Sequence, residues 1–369
     1  MASQTKDETG VDRILRNLAA RWLGQVVVII SGFVIPRQID GFLGANALGI
    51  WDFGWSTVAY FRLLGLGFAG GLNRFVALHV AEGALDKLQR SVSSTVFLQL
   101  LIGVLTAAIS ILLAHNLDHL LEFETQREFY DSQAVILFLG LSIAVRMVFW
   151  PARGILTGYH LTTVTAGVTA AGDIVVLSGL LLALWQGYGL AELGMVVFAS
   201  STLTEIVRTV FAKRAFRLPF LRISAVDIRT IKRMFRYGIK NNVSGLPHVF
   251  VIQGTSIILA SALGPAALAM LARPLALCNL VGTLVRQYSL LLTPIAGSLQ
   301  GLGRDDDMKG FFLSSMRNSF ALTLPALCLL GIYGDLVISA WMGPDYVVPL
   351  IVPVMSAMFF LPIASSSAM

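Results

Sequence analysis

Ten runs of predominantly apolar residues constrain this chain more than any other feature: 18–38, 47–70, 91–114, 133–157, 162–186, 189–212, 239–261, 266–292, 312–332 and 347–367. Each reaches the roughly 20 residues that a helix needs to cross a bilayer. In lipid, every backbone N–H and C=O must be satisfied by the chain itself, which leaves helices or a closed β-barrel. A barrel reads as short segments of alternating polarity. These runs are continuous, so the expected fold class is all-α, a polytopic membrane protein with ten transmembrane helices. Charged residues make up only 13% of the 369, against about a quarter in soluble domains. Cys278 and Cys328 both fall inside apolar runs and read as small core residues, with no disulfide framework implied. The polar tail MASQTKDETG has no apolar segment with a cleavage site, so the first run is expected to stay as a helix.

Charge orients the helices. With the N-terminus in the cytoplasm, 20 of the 27 Lys and Arg residues fall on the cytoplasmic side and two, Arg37 and Arg127, on the other. That asymmetry is a positive-inside pattern. The third loop, on the outside, carries Asp118, Glu122, Glu124, Glu128 and Asp131. The sixth loop carries nine bases between Lys213 and Lys240 and one acid, Asp227. It reads as a solvated, orienting linker beside anionic headgroups of the membrane lipids. No recognition fold accompanies its charge, so nucleic acid is not an expected partner.

The chain also repeats. Leu43-Gly44-Ala45-Asn46-Ala47-Leu48-Gly49 matches Leu263-Gly264-Pro265-Ala266-Ala267-Leu268-Ala269 at an offset of 220 residues. The same offset carries the first three runs onto the seventh, eighth and ninth. Six spans per half is an even number, so both halves share one orientation, and a parallel two-lobe repeat is expected. The division is a six-helix N-lobe over 1–212, a basic cytoplasmic linker over 213–238, and a four-helix C-lobe over 239–369. Counterparts of the fifth and sixth spans would lie beyond Met369, so the chain reads as missing the last two of twelve helices.

The segment after the first run contains Pro36-Arg37, Leu43-Gly44-Ala45-Asn46-Ala47-Leu48-Gly49-Ile50-Trp51, Tyr60, Leu64-Gly65-Leu66-Gly67 and Asn73-Arg74-Phe75-Val76-Ala77. This pattern resembles the polysaccharide (O-antigen type) flippase branch of the multidrug/oligosaccharidyl-lipid/polysaccharide exporter superfamily. Ala269 departs from it, standing where the loop glycine recurs in the second repeat. The resemblance implies two lobes around a cavity lined by the first, second, seventh and eighth helices. It implies alternating access that moves an undecaprenyl-pyrophosphate-linked oligosaccharide from the cytoplasmic to the outer leaflet of a bacterial inner membrane. A polysaccharide polymerase or assembly machinery is the partner expected beside the substrate.

Five arginines are read as buried within apolar runs, Arg62, Arg146, Arg208, Arg273 and Arg286, whereas Arg153, near the end of the fourth run, is counted with the cytoplasmic loop that follows. A charge at mid-bilayer costs about 2.5–3.5 kcal/mol on insertion scales and normally faces protein or a watery cavity. Guanidinium suits a diphosphate, since it offers two parallel charge-assisted hydrogen bonds. Arg62 and Arg286, at comparable depth in the second and eighth spans, are candidates for substrate binding in the cytoplasmic half; snorkelling to headgroups is the alternative. Arg146, in the fourth span, either lines the cavity or snorkels. Arg273 is a substrate candidate that also falls near the depth of Asp52, so the two are candidates for a gate. Arg208 follows Glu205 by three residues and reads as a local ion pair near the interface. Asp173, the only ionisable residue of the fifth span, either couples transport to a proton or sodium gradient or is simply hydrogen-bonded.

No catalytic signature is present, so an enzyme is not expected, and without a phosphate-binding Gly-rich loop no nucleotide drives the chain. No cofactor is expected. His115 and His119 are four apart, but no further ligand joins them in a metal pattern. Two competing readings are a drug or cation antiporter of the same superfamily, which expects acidic cavities, and a non-transporting membrane glycosyltransferase or assembly component, which expects a large outer loop.

Overall fold

The computed structural model describes residues 10–65, 71–119, 123, 125–242, 246–301 and 305–364. All regular structure among them is helical. In order these are α1 (Gly10–Leu64), α2 (Gly71–Ala81), α3 (Leu85–His115), α4 (Gln126–Gly158), α5 (Thr162–Trp185), α6 (Leu190–Ala215), α7 (Ile228–Asn242), α8 (Leu246–Leu263), α9 (Pro265–Gly301), α10 (Asp305–Met342) and α11 (Ile351–Ala364). Among the described residues helices stand at all ten segments expected from the apolar runs: seven helices are long and apolar enough to span, the first covering two of the segments, and shorter apolar helices lie at Val249–Leu263 and Ile351–Ala364.

The first two expected spans are one element, α1, broken at Gly44, whose φ of 86° and ψ of 169° lie outside the helical region. Gly264, its counterpart at the 220-residue offset, has the same φ of 86° between α8 and α9. Only glycine tolerates that region without strain. Pro265 then opens α9, where its fixed φ suits a helix start and its missing N–H costs nothing. The repeated Leu-Gly pair is thus a repeated helix break. Replacing Gly44 by alanine is expected to cost about 1–3 kcal/mol of stability, read as a lower unfolding temperature in detergent.

Contacts divide the chain into two compact units, Met1–Ala266 and Ala267–Met369. In the first, α4 is the central helix, packed against α6, α3, α1 and α2. Half of its most apolar window is buried, 50%, against 22% for α3 and for α5. Polar side chains on α4 are therefore screened from lipid. Thr125 caps its start by accepting the Glu128 N–H at 3.2 Å, which satisfies one of the orphan donors of a helix end. In the second unit, α10 and α11 pack together, around Val285, Leu327 and Ile363.

Two helices have no counterpart in the ten expected spans. One is α2. The other is α7, inside the segment read from sequence as a solvated linker. That segment is docked: Phe216 and Met234 are buried with Leu72, Val76, Leu88, Val92 and Ile155. Gln89 donates to the Pro219 carbonyl at 2.7 Å, and Ser93 Oγ accepts the Arg222 N–H at 3.0 Å. The lone acid Asp227 caps α7, accepting from the Thr230 hydroxyl at 2.7 Å and the Arg229 N–H at 3.1 Å. Those two hydrogen bonds hold its carboxyl below the usual carboxylate range.

Candidate functional site

Three consecutive helices of the first unit each present polar residues at i, i+4 and i+7 or close to it. These are Arg146, Trp150 and Arg153 on α4, Thr169 and Asp173 on α5, and Ser201, Glu205 and Arg208 on α6. That spacing places each set on one face of its helix. The three faces converge on a cavity of about 420 Å³, which Gln99 of α3 and Gly65 also line. A second cavity of about 440 Å³ shares Trp150, Arg153, Thr169 and Asp173 with it. It adds Gln25 of α1, Asn73 of α2, Thr157 of α4 and Thr162 and Thr165 of α5.

The wall is held by hydrogen bonds between helices. Arg146 Nη2 donates to Ser201 Oγ at 3.0 Å. Arg208 Nη1 donates to Glu205 Oε1, and its Nη2 donates to Thr169 Oγ1 at 3.1 Å. The Arg153 guanidinium lies 5.3 Å from the centroid of the Trp150 ring, within cation–π range. Close approach of α5 to α6 depends on Gly172, where a Cβ would come within 2.5 Å of Thr204 Oγ1.

Four buried polar atoms around this cavity have no hydrogen-bond partner: Arg153 Nε, Arg208 Nε, Glu205 Oε2 and Gln99 Oε1. Buried polar groups are normally satisfied, and exceptions call for a water, an ion or a ligand. Three guanidinium groups face two carboxylates, so the wall carries a net positive charge. A site of this kind can take an anion with several acceptor oxygens, since arginine presents its donors in a planar fork.

The sequence-predicted residues fall as follows. Arg146 and Asp173 share the cavity. Arg208 has its expected partner, Glu205, but does not snorkel; it is 2% exposed and lies between α5 and α6. Arg153, counted from sequence as a loop residue, is inside α4 and forms part of the wall. The side chain of Arg62 lies outside the described residues. Asp52 is a half-buried residue of α1 in the first unit. Arg273 and Arg286 belong to the second. Arg273 is 2% exposed, with its guanidinium 5.8 Å from the Trp341 ring. Arg286 is exposed and donates to Thr283 Oγ1 at 3.0 Å.

Residues 23–182 match the MatE family. Comparison with curated proteins gives no match. Among solved structures, an inward-facing multidrug resistance MATE transporter of the MOP superfamily aligns with a TM-score of 0.74 at 13% identity, covering 96% of this chain and 83% of that one. An outward-facing MATE multidrug resistance transporter gives 0.69 at 14% identity over 96% and 81%. A MOP superfamily transporter from Pyrococcus furiosus, described as having a binding pocket of reverse polarity that suggests a different function, gives 0.70 at 12% identity over 96% and 81%. The alignment covers nearly the whole length of the chain: it has the fold of the MATE transporters of the MOP superfamily and carries the MatE family pattern over residues 23–182.

Proposed function

We propose that this protein moves a lipid-linked oligosaccharide diphosphate across the membrane, from the cytoplasmic to the outer leaflet, by alternating access. The observation that carries this reading is the sign of the N-lobe cavity. Arg146, Arg153 and Arg208 outnumber Asp173 and Glu205, and the Nε donors of Arg153 and Arg208 are buried without hydrogen-bond partners. A cationic drug would meet a net positive wall there; a diphosphate finds charge and donors of the right kind. Pocket polarity is also what sets apart the Pyrococcus furiosus transporter of this superfamily, by its description. The same fold occurs in transporters described as inward-facing and outward-facing. In this reading the pyrophosphate is bound by Arg146 and Arg153, while Arg208, anchored by Glu205 and Thr169, holds α5 and α6 in place. Arg62, Arg273 and Arg286 remain further candidate contacts along the route, and Asp173 is the candidate group for a coupling proton or cation.

The test is complementation of a strain lacking its own flippase, scored as accumulation of the lipid-linked intermediate. Arg146→Ala and Arg153→Ala, at matched protein levels, are each expected to lower export at least about tenfold, the loss of one charge-assisted hydrogen bond or more. Export at the wild-type rate in the double variant would overturn the reading. The antiporter alternative is favoured by the two carboxylates in the same cavity. It expects Asp173→Asn and Glu205→Gln to abolish resistance to lipophilic cations, whereas a flippase confers no such resistance to begin with.

A further inference from the structure

We infer that α7 and the turn before it form an interfacial anchor that binds anionic phospholipid headgroups. At about 3.6 residues per turn, the helix divides into three sectors. Thr230, Ile231 and Met234 face the protein, with Met234 1% exposed and in contact with Thr95. Ile228 and Phe235 lie on one flank of that face and are exposed, 79% and 43%. Arg229, Lys232, Arg233 and Arg236 form the remaining, outward sector, all exposed. Ile223, on the preceding turn, is also exposed.

The depth of the helix fits a headgroup layer. α7 packs on α2 and α3, and its anchor points on α3, Leu88, Val92, Ser94 and Thr95, lie in the first third of that helix. α3 has 31 residues, about 46 Å at 1.5 Å each. That equals the thickness of a bilayer including its headgroups, roughly 40–45 Å, so the start of α3 sits in the polar layer. A helix held there with an apolar flank and a basic ridge has the composition of an in-plane membrane helix. The one acid of the segment, Asp227, is engaged as the cap of α7, and the four bases stand exposed. Charge complementarity therefore selects an anionic lipid surface. Phe235 and Ile228 reach toward the acyl boundary, and the four bases take headgroup phosphates.

The occupant is tested in nanodiscs of phosphatidylcholine with and without about 30% phosphatidylglycerol, an anionic content within the range that attracts basic segments. A nitroxide at Phe235→Cys, with Cys278 and Cys328 replaced by serine, is compared with one at Arg233→Cys on the outward ridge. In the anionic discs the label at 235 is expected to be more accessible to oxygen than to a water-soluble nickel complex, and the label at 233 the reverse. Affinity for a fluorescent short-chain phosphatidylglycerol is measured in parallel. Each base near an anionic surface is worth about a fivefold factor, so the triple variant Arg229→Gln, Lys232→Gln, Arg236→Gln should bind on the order of 100-fold more weakly. All three positions are exposed, and the unfolding temperature in detergent without added lipid should not move. A water-accessible label at 235 in anionic discs, or a triple variant with unchanged lipid affinity, would overturn the proposal; protection of 235 from both quenchers would instead show a protein partner on this face and overturn it equally.

Discussion

Arg208→Ala is expected to destabilise the first unit by about 3–5 kcal/mol, the range for removing one partner of a buried ion pair. Arg208 is 2% exposed and Glu205 6%, so alanine at 208 leaves a buried carboxylate without its ion-pair partner. The guanidinium also joins α6 to α5 through Thr169, and that tie is lost with it. A lowered unfolding temperature is the first readout. The second is a double-mutant cycle: Glu205→Ala combined with Arg208→Ala should recover part of the loss, with a coupling of roughly 1–3 kcal/mol. Two additive losses would mean that the pair does not act as a unit. A surface pair would give about 0–1 kcal/mol, so the size of the effect separates the buried arrangement from the interfacial one expected from sequence.

Gly49→Ala should be as damaging, for a steric reason. A Cβ at Gly49 would lie 1.8 Å from the Pro265 carbonyl oxygen and 2.2 Å from its carbon. Both are backbone atoms and cannot rotate away, so α1 and the break at Gly264 must separate. The cost is expected at or above the upper end of the roughly 1–3 kcal/mol range for overpacking, seen as a loss of folded protein on size-exclusion chromatography and a lower unfolding temperature. The repeat supplies a control. Ala269 occupies the matching position in the second copy and is fully buried, so Ala269→Gly should cost only about 0.5–1 kcal/mol, the helical penalty of glycine. Equal effects at 49 and 269 would remove the steric explanation. The same contact explains why the second repeat departs from the loop pattern: the close approach is made by the glycine of the first copy.

The spans were legible because lipid imposes a length and a polarity on every helix, and those are local properties of sequence. The break at Gly44 and Gly264 was legible as a repeated motif, though its meaning, a left-handed glycine, needed the backbone. α2 and α7 were not legible as packed helices. Their sequences are short and rich in charge, and what fixes them is tertiary: Met234 and Phe216 fill a pocket among Leu72, Val76 and Leu88. The cavity was half legible. Arg146 and Asp173 stood out one at a time, as charges in apolar runs. Arg153 was assigned to a loop because it lies near the end of its run, and Arg208 to the interface for the same reason. A signal was available in the shared i, i+4, i+7 spacing of 146-150-153 and 201-205-208. It becomes visible only when polar residues of neighbouring spans are read as faces rather than as depths.

The N-lobe cavity as a diphosphate site is tested most directly by binding of a short-chain polyprenyl pyrophosphate to the purified protein, with the corresponding monophosphate and the free alcohol as comparisons. Titration calorimetry is expected to show affinity falling from pyrophosphate to monophosphate to alcohol. Arg146→Ala with Arg153→Ala should remove most of the preference for pyrophosphate in protein that still elutes as folded on size-exclusion chromatography. Equal affinity for all three lipids, or an undiminished pyrophosphate preference in the double variant, would contradict an anion site at these residues.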